Sequence, residues 1–402
     1  MGPLKFPQTS PMIFLLNLFL VSLVSAAPRP QHTQETGPDP AASQGVGPVQ
    51  TQPSAPDFVP QKYMAFGDSF AAGIGAGSEL GFVHFDNCHR YNGGYPFRLN
   101  ELIYGHSMPE DNLKACTGAT AEEVKAQAQF LDESVDLATI SVGGNNVFFS
   151  GIVQACVYRF KGSLDGDCDS AIKRSEEAID NTLGPAVKDA LQAFFNRPLN
   201  PKIRFFVTGY AKFFNADTPQ CDEVSWNYWD LSSPEGGADK MDKNRRRQLN
   251  NLVEKVNSKL QEVVLSFGTS MSNKLHFVNY DASFKTRRFC EERFTEPQKK
   301  GEERLDLFMH QYYTPDGQLD DNYDSGNITQ WTKDLTGGMN AFVKAHPNAK
   351  VAKPYADSPI VVNDFPFPRI PSGVKKIFHP TQAGHRAIAQ NVFDMWRDNS
   401  PV

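Results

Sequence analysis

Four short apolar runs, each closed by glycine or polar residues, recur along the chain and have the length of buried strands. They cover residues 63–66, 137–142, 203–207 and 275–278. Continuous apolar runs of this kind, without the alternation of a half-exposed strand, are typical of parallel sheets covered on both faces. The pattern therefore predicts four strands of one buried sheet.

Between these runs, apolar residues recur at the three- and four-residue spacings of helices that bury one face. The stripes are formed by Ile172, Ile179, Leu183, Val187 and Leu191, by Leu249, Leu252, Val253, Val256, Leu260, Val263 and Val264, and by Ile388, Val392 and Trp396. Strands that alternate with helices predict a three-layer α/β/α domain with a mainly parallel sheet. Functional loops should then lie at the carboxyl ends of the strands.

The first 58 residues do not follow this pattern. Lys5 precedes an almost wholly apolar run over residues 12–24, and small residues follow it, so we expect a signal peptide over residues 1–26. The run is too short to span a bilayer comfortably. Residues 27–58 are rich in Pro, Gln, Gly, Ser and Ala, which predicts a disordered linker or pro-segment. One globular domain is expected over residues 59–402, and the protein is expected to be extracellular.

Composition and charge narrow the possible partners. Of the 402 residues, 40% are hydrophobic, which is enough for a substantial core, and the formal net charge is -6 at pH 7. That balance argues against a general affinity for nucleic acid or anionic membranes. The basic run at residues 243–247 is interpreted as a solvated helix start. No later stretch is apolar enough to predict a transmembrane anchor.

Six cysteines, an even number, suggest three disulfides in a secreted chain. They are Cys88, Cys116, Cys156, Cys168, Cys221 and Cys290. Only the pair Cys156 and Cys168, separated by a Gly- and Asp-rich turn, is close enough in sequence to suggest a local bridge. No two cysteines stand in a C-x-x-C pair, so we expect no metal site. Asn327 begins an Asn-Ile-Thr glycosylation acceptor.

Four segments carry residues suited to catalysis, although each has an ordinary structural explanation by itself. Ser69 stands at a tight turn after the first strand, where Ser69 or Asp68 can instead simply cap a helix. Gly118 lies among small residues in Ala-Cys-Thr-Gly-Ala-Thr, and Asn145 follows the second strand in Gly-Gly-Asn-Asn. His379 lies on a loop before a helix that we expect to begin at Pro380 or the next residue.

Taken together and in order, these segments resemble the sequence blocks of the SGNH hydrolases, also called GDSL esterases and lipases. The longer strings are most similar to the secreted, disulfide-containing Streptomyces-type esterases, with Cys88, Tyr95-Pro96 and a Gly-His-Arg-Ala tail at residues 384–387. The resemblance extends from about residue 60 to 397 and is loose between 210 and 370. It implies a flavodoxin-like fold and a catalytic domain without a cofactor.

The resemblance also implies roles for the matching residues. Ser69 would be the nucleophile and His379 its base, and the carbonyl oxygen would be held by the backbone N–H groups of Ser69 and Gly118 and the side-chain amide of Asn145. The implied activity is hydrolysis of carboxylic esters through an acyl-enzyme. The substrate would be a small-molecule, lipid or polysaccharide ester, and the protein is expected to be a monomer.

Two positions depart from the family pattern. Many members carry an aspartate three residues before the histidine, but here that position is Lys376, whose side chain has no acceptor. A main-chain carbonyl replaces the aspartate in some members, so we expect a Ser–His dyad oriented by the Lys376 carbonyl, with Asp364 and Asp357 as alternatives. The third block often ends in aspartate, whereas this chain has Asn146, which puts the local bonding of Asn145 in question.

The family analogy further implies disulfide pairing in chain order, Cys88–Cys116, Cys156–Cys168 and Cys221–Cys290. Three other functions stay open: a carbohydrate acetyl esterase, an inactive binding protein on the same scaffold, and a glycosidase using paired carboxylates. The carboxylates for the last are Asp320, Asp321, Glu302 and Glu303, which have the polar surroundings of a solvated surface. Candidate pocket aromatics are Trp226, Tyr228, Trp229, Tyr312, Tyr313 and Trp331, although most suit core packing equally well.

Overall fold

A computed structural model describes residues 59–80, 88–158, 167–224, 240–294, 296, 306–310 and 378–400. Several predictions concern residues outside these ranges: the signal peptide at 1–26, the linker at 27–58, the six pocket aromatics, the paired carboxylates, Asn327, Asp357, Asp364 and Lys376. These stay predictions. Among the described helices, none combines the length and the apolar character needed to cross a membrane.

The four predicted strands form one parallel sheet, which confirms the interpretation of the apolar runs. The strands are β1 (Tyr63–Gly67), β2 (Leu137–Ser141), β3 (Arg204–Thr208) and β4 (Leu275–Val278), and they lie side by side in chain order. Their register aligns the last residues, Gly67 with Ser141, Ser141 with Thr208, and Thr208 with Val278. The carboxyl ends are therefore level along one edge of the sheet.

A further segment runs parallel to β1 on its free side. Leu113 forms a parallel bridge with Ala65. The N–H of Lys114 donates to the Ala65 carbonyl at 2.8 Å, and that of Cys116 to the Gly67 carbonyl at 2.9 Å. This segment holds the place of the second strand in a flavodoxin-like order. It also brings the following turn to the same edge as the ends of β1 and β2.

Helices cover the sheet in two groups, as the alternating pattern predicts. The helices are α1 (Ser69–Ala72), α2 (Tyr95–Tyr104), α3 (Ala121–Gln127), α4 (Phe149–Ile152), α5 (Cys168–Ala178), α6 (Gly184–Phe195), α7 (Lys243–Leu265) and α8 (Gln382–Asp398). Helix α2 packs on α8 in one group, while α6 packs on both α3 and α7 in the other. Shorter 3-10 turns lie at Glu110–Asn112, Ala128–Phe130 and Asp281–Phe284.

Two helix predictions need correction. The stripe over residues 172–191 is not one continuous helix, because a π-helical segment, Ile179–Leu183, separates α5 from α6. Pro185 follows in the first turn of α6 and has no N–H to continue the ladder, which accounts for the break. Helix α8 begins at Gln382, since Thr381 caps it by accepting from Gly384 N–H at 3.3 Å. Pro380 instead pairs with Met309.

The interpretation of residues 243–247 as a solvated helix start is wrong for one side chain. Arg246 is fully buried. Its guanidinium donates to the Asn215 and Thr218 carbonyls and forms an ion pair with Asp222. A buried charge is tolerated only when it is paired and hydrogen-bonded, as here. Arg246 thus fixes the loop after β3 to the first turn of α7.

Candidate active site

Ser69 lies where β1 ends and α1 begins, on a turn formed by residues 67–69 that we call the serine turn. Gly67 has φ +131°, and a Cβ there would collide with the carbonyl oxygen of Ser141. Only glycine therefore lets the ends of β1 and β2 come this close. The N–H of Asp68 donates to the same Ser141 carbonyl at 3.0 Å. The turn is thereby held against the end of β2.

The imidazole of His379 reaches the hydroxyl of Ser69 from the far end of the chain. Nε2 of His379 lies 2.8 Å from Oγ of Ser69, across a separation of 310 residues. The ring of Phe70 flanks the imidazole with a centroid distance of 5.3 Å. A nucleophile and a base at hydrogen-bond distance are the geometric signature of an activated serine.

Backbone pairing with residues 308–310 holds the segment that carries His379. The N–H of Phe378 donates to the His310 carbonyl at 2.9 Å, and the N–H of His310 donates to the His379 carbonyl at 2.7 Å. The N–H of Thr381 donates to the Phe308 carbonyl at 2.9 Å. These bonds on both sides of His379 fix the position of its backbone.

The ring of Phe378 anchors the same segment in the core. Its φ is +63°, which is unfavourable for a residue with a side chain. The ring is buried against those of Phe213, Phe214 and Phe289, with centroid distances of 5.2, 5.7 and 4.9 Å. Burial of an aromatic ring stabilises by about 1.5–3 kcal/mol, which is enough to offset the backbone strain.

Two further turns lie at this edge of the sheet. We call residues 143–146, after β2, the asparagine turn, and residues 116–119, after the edge segment, the glycine turn. A side-chain hydrogen bond joins them. Asn145 Nδ2 donates to the Ala119 carbonyl at 2.9 Å. An amide nitrogen carries two hydrogens, so the second is available to another acceptor. Asn146 Oδ1 accepts from Ala121 N–H, the first residue of α3, at 2.9 Å.

The glycine turn is bonded to the serine turn and is tied on its other side to Cys88. Cys116 N–H bonds the Gly67 carbonyl, Thr117 N–H donates to the Cys88 carbonyl at 2.9 Å, and a disulfide joins Cys88 to Cys116. Gly118 has φ +88°. Within the described ranges, no protein group accepts from the backbone N–H of Ser69 or Gly118. Both N–H groups are therefore available to a ligand.

Comparison with known proteins places the chain in a family. The sequence profile of the GDSL-like Lipase/Acylhydrolase family matches residues 65–286, more than half of the chain. The chain belongs to this family. It is accordingly a hydrolase of carboxylic esters.

Two relatives of this chain come from Streptomyces. The chain is 30% identical to Lipase 1 of Streptomyces coelicolor over 207 residues, which cover 51% of this chain and 67% of that protein. It is 29% identical to a lipase of Streptomyces rimosus over 168 residues, which cover 40% of this chain and 56% of that protein. The crystal structure of the extracellular lipase of Streptomyces rimosus superposes with a TM-score of 0.50 and 18% identity, over 83% of this chain and 98% of that one, which shows the shared fold.

The departure of this chain from the GDSL pattern at Asn146 leaves the local bonding intact. The side chain is needed as an acceptor for Ala121 N–H, and an amide oxygen accepts as a carboxylate would. The three disulfides join the cysteines as the family resemblance implies: Cys88–Cys116, Cys156–Cys168 and Cys221–Cys290. The described residues contain no cluster of three or more His, Cys, Asp or Glu side chains suited to a metal ion.

Gln127 of α3, which lies outside the family blocks, is hydrogen-bonded to the serine turn. Its Oε1 accepts from Gly67 N–H at 2.7 Å, and its Nε2 donates to the Gly67 carbonyl at 2.9 Å. The one signal in the sequence is its place on the buried face of α3, in line with Ala121 and Val124. A polar residue on an apolar face needs a buried partner.

Asp68 also fixes the serine turn, and it is the helix cap that the sequence offered beside Ser69. Its carboxylate is 1% exposed and accepts from Phe70 N–H at 3.0 Å, from Ser141 Oγ at 2.7 Å and from the Tyr210 hydroxyl at 2.6 Å. Burial raises the pKa of Asp68, and the hydrogen bonds oppose that rise. Asp68 caps α1 and so fixes the orientation of the helix that begins with Ser69.

Proposed function

We propose that Ser69 and His379 act as a dyad that hydrolyses carboxylic esters through an acyl-enzyme. The observation that supports this most directly is the 2.8 Å contact between His379 Nε2 and Ser69 Oγ. In the first step Oγ attacks the ester carbonyl while His379 takes the serine proton, and the alcohol leaves with that proton. A water molecule then attacks the acyl-serine with His379 again acting as the base, and the carboxylic acid is released.

The same proposal assigns the oxyanion donors. The backbone N–H groups of Ser69 and Gly118 are unused by other described residues, and the amide of Asn145 has a second hydrogen beyond its bond to Ala119. Three such donors would stabilise the negative oxygen of the tetrahedral intermediate.

His379 needs an acceptor that holds its ring in the reactive orientation. We assign that role to the main-chain carbonyl of Lys376, because the side chain at this position has no acceptor. Asp364 and Asp357 are the alternatives. An unchanged kcat in the Asp364→Asn and Asp357→Asn variants would support the Lys376 carbonyl as the acceptor for His379. A large loss of kcat in either variant would contradict that assignment.

For the substrate, we propose an acyl ester of the lipase type, cleaved outside the cell. Both named Streptomyces relatives are lipases, and three disulfides suit an oxidising compartment. The signal peptide at 1–26, the glycosylation at Asn327 and the monomeric state stay predictions.

A fluorophosphonate probe tests the dyad. The purified protein should be labelled, Ser69→Ala should abolish labelling and turnover, and Ser150→Ala, at an exposed serine of α4, should change neither. Labelling that persists in Ser69→Ala would refute the assignment. Hydrolysis rates on p-nitrophenyl acetate, butyrate and palmitate, and on acetylated xylan, then separate lipase, esterase and carbohydrate esterase activity.

A further inference from the structure

Tyr210, two residues beyond the end of β3, links two parts of the active site that the family blocks treat as separate. It is 1% exposed. Its hydroxyl accepts from the N–H of Gly144, in the asparagine turn, at 2.9 Å. The same hydroxyl lies 2.6 Å from the carboxylate of Asp68, in the serine turn. One buried oxygen therefore contacts both turns.

The direction of these bonds follows from the groups involved. A backbone N–H is only a donor, so Gly144 must donate to the Tyr210 oxygen. The single hydrogen of the hydroxyl then remains for Asp68, which accepts it. The chain of bonds runs from Gly144 through Tyr210 to Asp68. It connects the residue before Asn145 with the residue before Ser69.

The position of Tyr210 is itself fixed by parts of the fold outside both turns. Asn257 of α7 accepts from Tyr210 N–H and donates to the Tyr210 carbonyl, both at 2.8 Å. The Tyr210 ring packs edge-on against Phe70 and Phe149, with centroid distances of 5.0 and 5.6 Å. The hydroxyl therefore acts as a fixed point between the two turns.

We propose that Tyr210 is a positioning residue, which sets the separation between the Ser69 nucleophile and the Asn145 amide. This inference rests on the proposed function, since it requires that both residues act on the same carbonyl. Without the hydroxyl, Gly144 N–H and one oxygen of Asp68 would lose a buried partner. Both turns could then shift, and a displacement of about 1 Å in a reacting group can cost 10²-fold in rate.

Tyr210→Phe removes the hydroxyl and keeps the ring. We expect kcat to fall about 10- to 100-fold with little change in KM, because substrate binding does not use the hydroxyl. Tyr280→Phe is the matched control: Tyr280 is equally buried, and its hydroxyl has no hydrogen-bond partner among the described residues. A wild-type kcat in Tyr210→Phe, or an equal loss in Tyr280→Phe, would overturn the proposal.

A double-mutant test with Asn145 shows whether Tyr210 positions the catalytic groups or only stabilises the fold. The fold-loss in kcat caused by Tyr210→Phe should depend on the Asn145 amide. In an Asn145→Ala background, which lacks that amide, the fold-loss should be at least about three times smaller than in the wild type. Losses that simply multiply would overturn the proposal. If Tyr210→Phe does not fold, Asp68→Asn serves instead, because an amide nitrogen in place of the carboxylate oxygen cannot accept the Tyr210 hydrogen, and the same coupling is expected.

The two proposals fail in different ways. If Ser69→Ala retains labelling and turnover, the proposed function is wrong. If Ser69→Ala is inactive and Asn145→Ala is impaired, but Tyr210→Phe is normal or uncoupled, only the positioning role of Tyr210 is wrong.

Discussion

Ser69 and His379 approach to 2.8 Å, yet they belong to regions with different kinds of support. The serine region, residues 63–72 and 137–146, is part of the sheet and is held by strand register and buried polar bonds. The histidine region, residues 306–310 and 378–398, is held by backbone pairing and by the packing of aromatic rings.

The difference indicates how each half of the proposed dyad should respond to change. Polar bonds with defined directions fix the serine region, so substitutions there should alter rate through small displacements and lost donors. Apolar burial dominates the histidine region, so substitutions there should first alter stability. Three predictions test this contrast.

The largest effect is expected at Phe378. Phe378→Ala should lower the free energy of unfolding by about 3–5 kcal/mol, because a buried ring is lost among Phe213, Phe214 and Phe289. Urea unfolding measures this loss, and kcat measured well below the unfolding transition reports the displacement of His379. Phe378→Leu keeps much of the apolar volume and should lose less stability. Unchanged stability in Phe378→Ala would show that backbone pairing alone holds the histidine region.

A somewhat smaller effect, on rate alone, is expected in the serine region. Asn145→Ala should lower kcat about 10²- to 10³-fold with little effect on stability, because one proposed oxyanion donor is removed. Asn146→Asp is its matched control, since the carboxylate still accepts from Ala121 N–H and kcat should stay near that of the wild type. Full activity in Asn145→Ala would remove the amide from the mechanism, and a large loss in Asn146→Asp would show that charge there matters.

The two regions also differ in how far sequence alone predicts them. The serine region is predictable because its signals are local: an apolar run, a glycine that the turn requires, and then Ser69. The strand before Asn145 is likewise predicted by an apolar run that ends in glycine, so the sequence correctly places the end of β2 at the edge of the sheet. Register then brings the ends of β1 and β2 together without any further information.

Contacts across long separations are not predictable from the sequence, apart from those that the family resemblance implies, such as Ser69 with His379 and Cys221 with Cys290. Tyr210 follows an ordinary strand, and its partners Asp68 and Gly144 are 142 and 66 residues away. Nothing in the sequence distinguishes Phe378 from other aromatic residues, because the three rings that surround it come from distant parts of the chain. Arg246 belongs to a basic run, yet it is buried because the loop after β3 supplies its acceptors.

The smallest effect concerns His385 of α8, which joins the two regions through α2. Its Nδ1 accepts from Tyr95 N–H, at the start of α2, at 3.1 Å. Tyr91 N–H, just before α2, bonds the Ala72 carbonyl at the end of α1 at 2.8 Å. An Nδ1 that accepts requires a neutral ring, and burial lowers the pKa of His385 to about 3. Protonation of this ring would break the bond to Tyr95.

The pH dependence of stability follows from that lowered pKa. Above pH 6.5 the histidine is neutral in both the folded and the unfolded chain, so it adds no pH dependence. Between pH 6.5 and about 3 only the unfolded chain binds the proton, and folding loses about 1.4 kcal/mol per pH unit. His385→Asn keeps an acceptor for Tyr95 N–H but does not titrate. The unfolded histidine is half protonated at pH 6.5, so between pH 6.5 and 4.5 the wild type should lose about 2.3 kcal/mol more unfolding free energy than the variant. Equal losses would mean that His385 is protonated in the folded protein and that the bond to Tyr95 does not join the two regions.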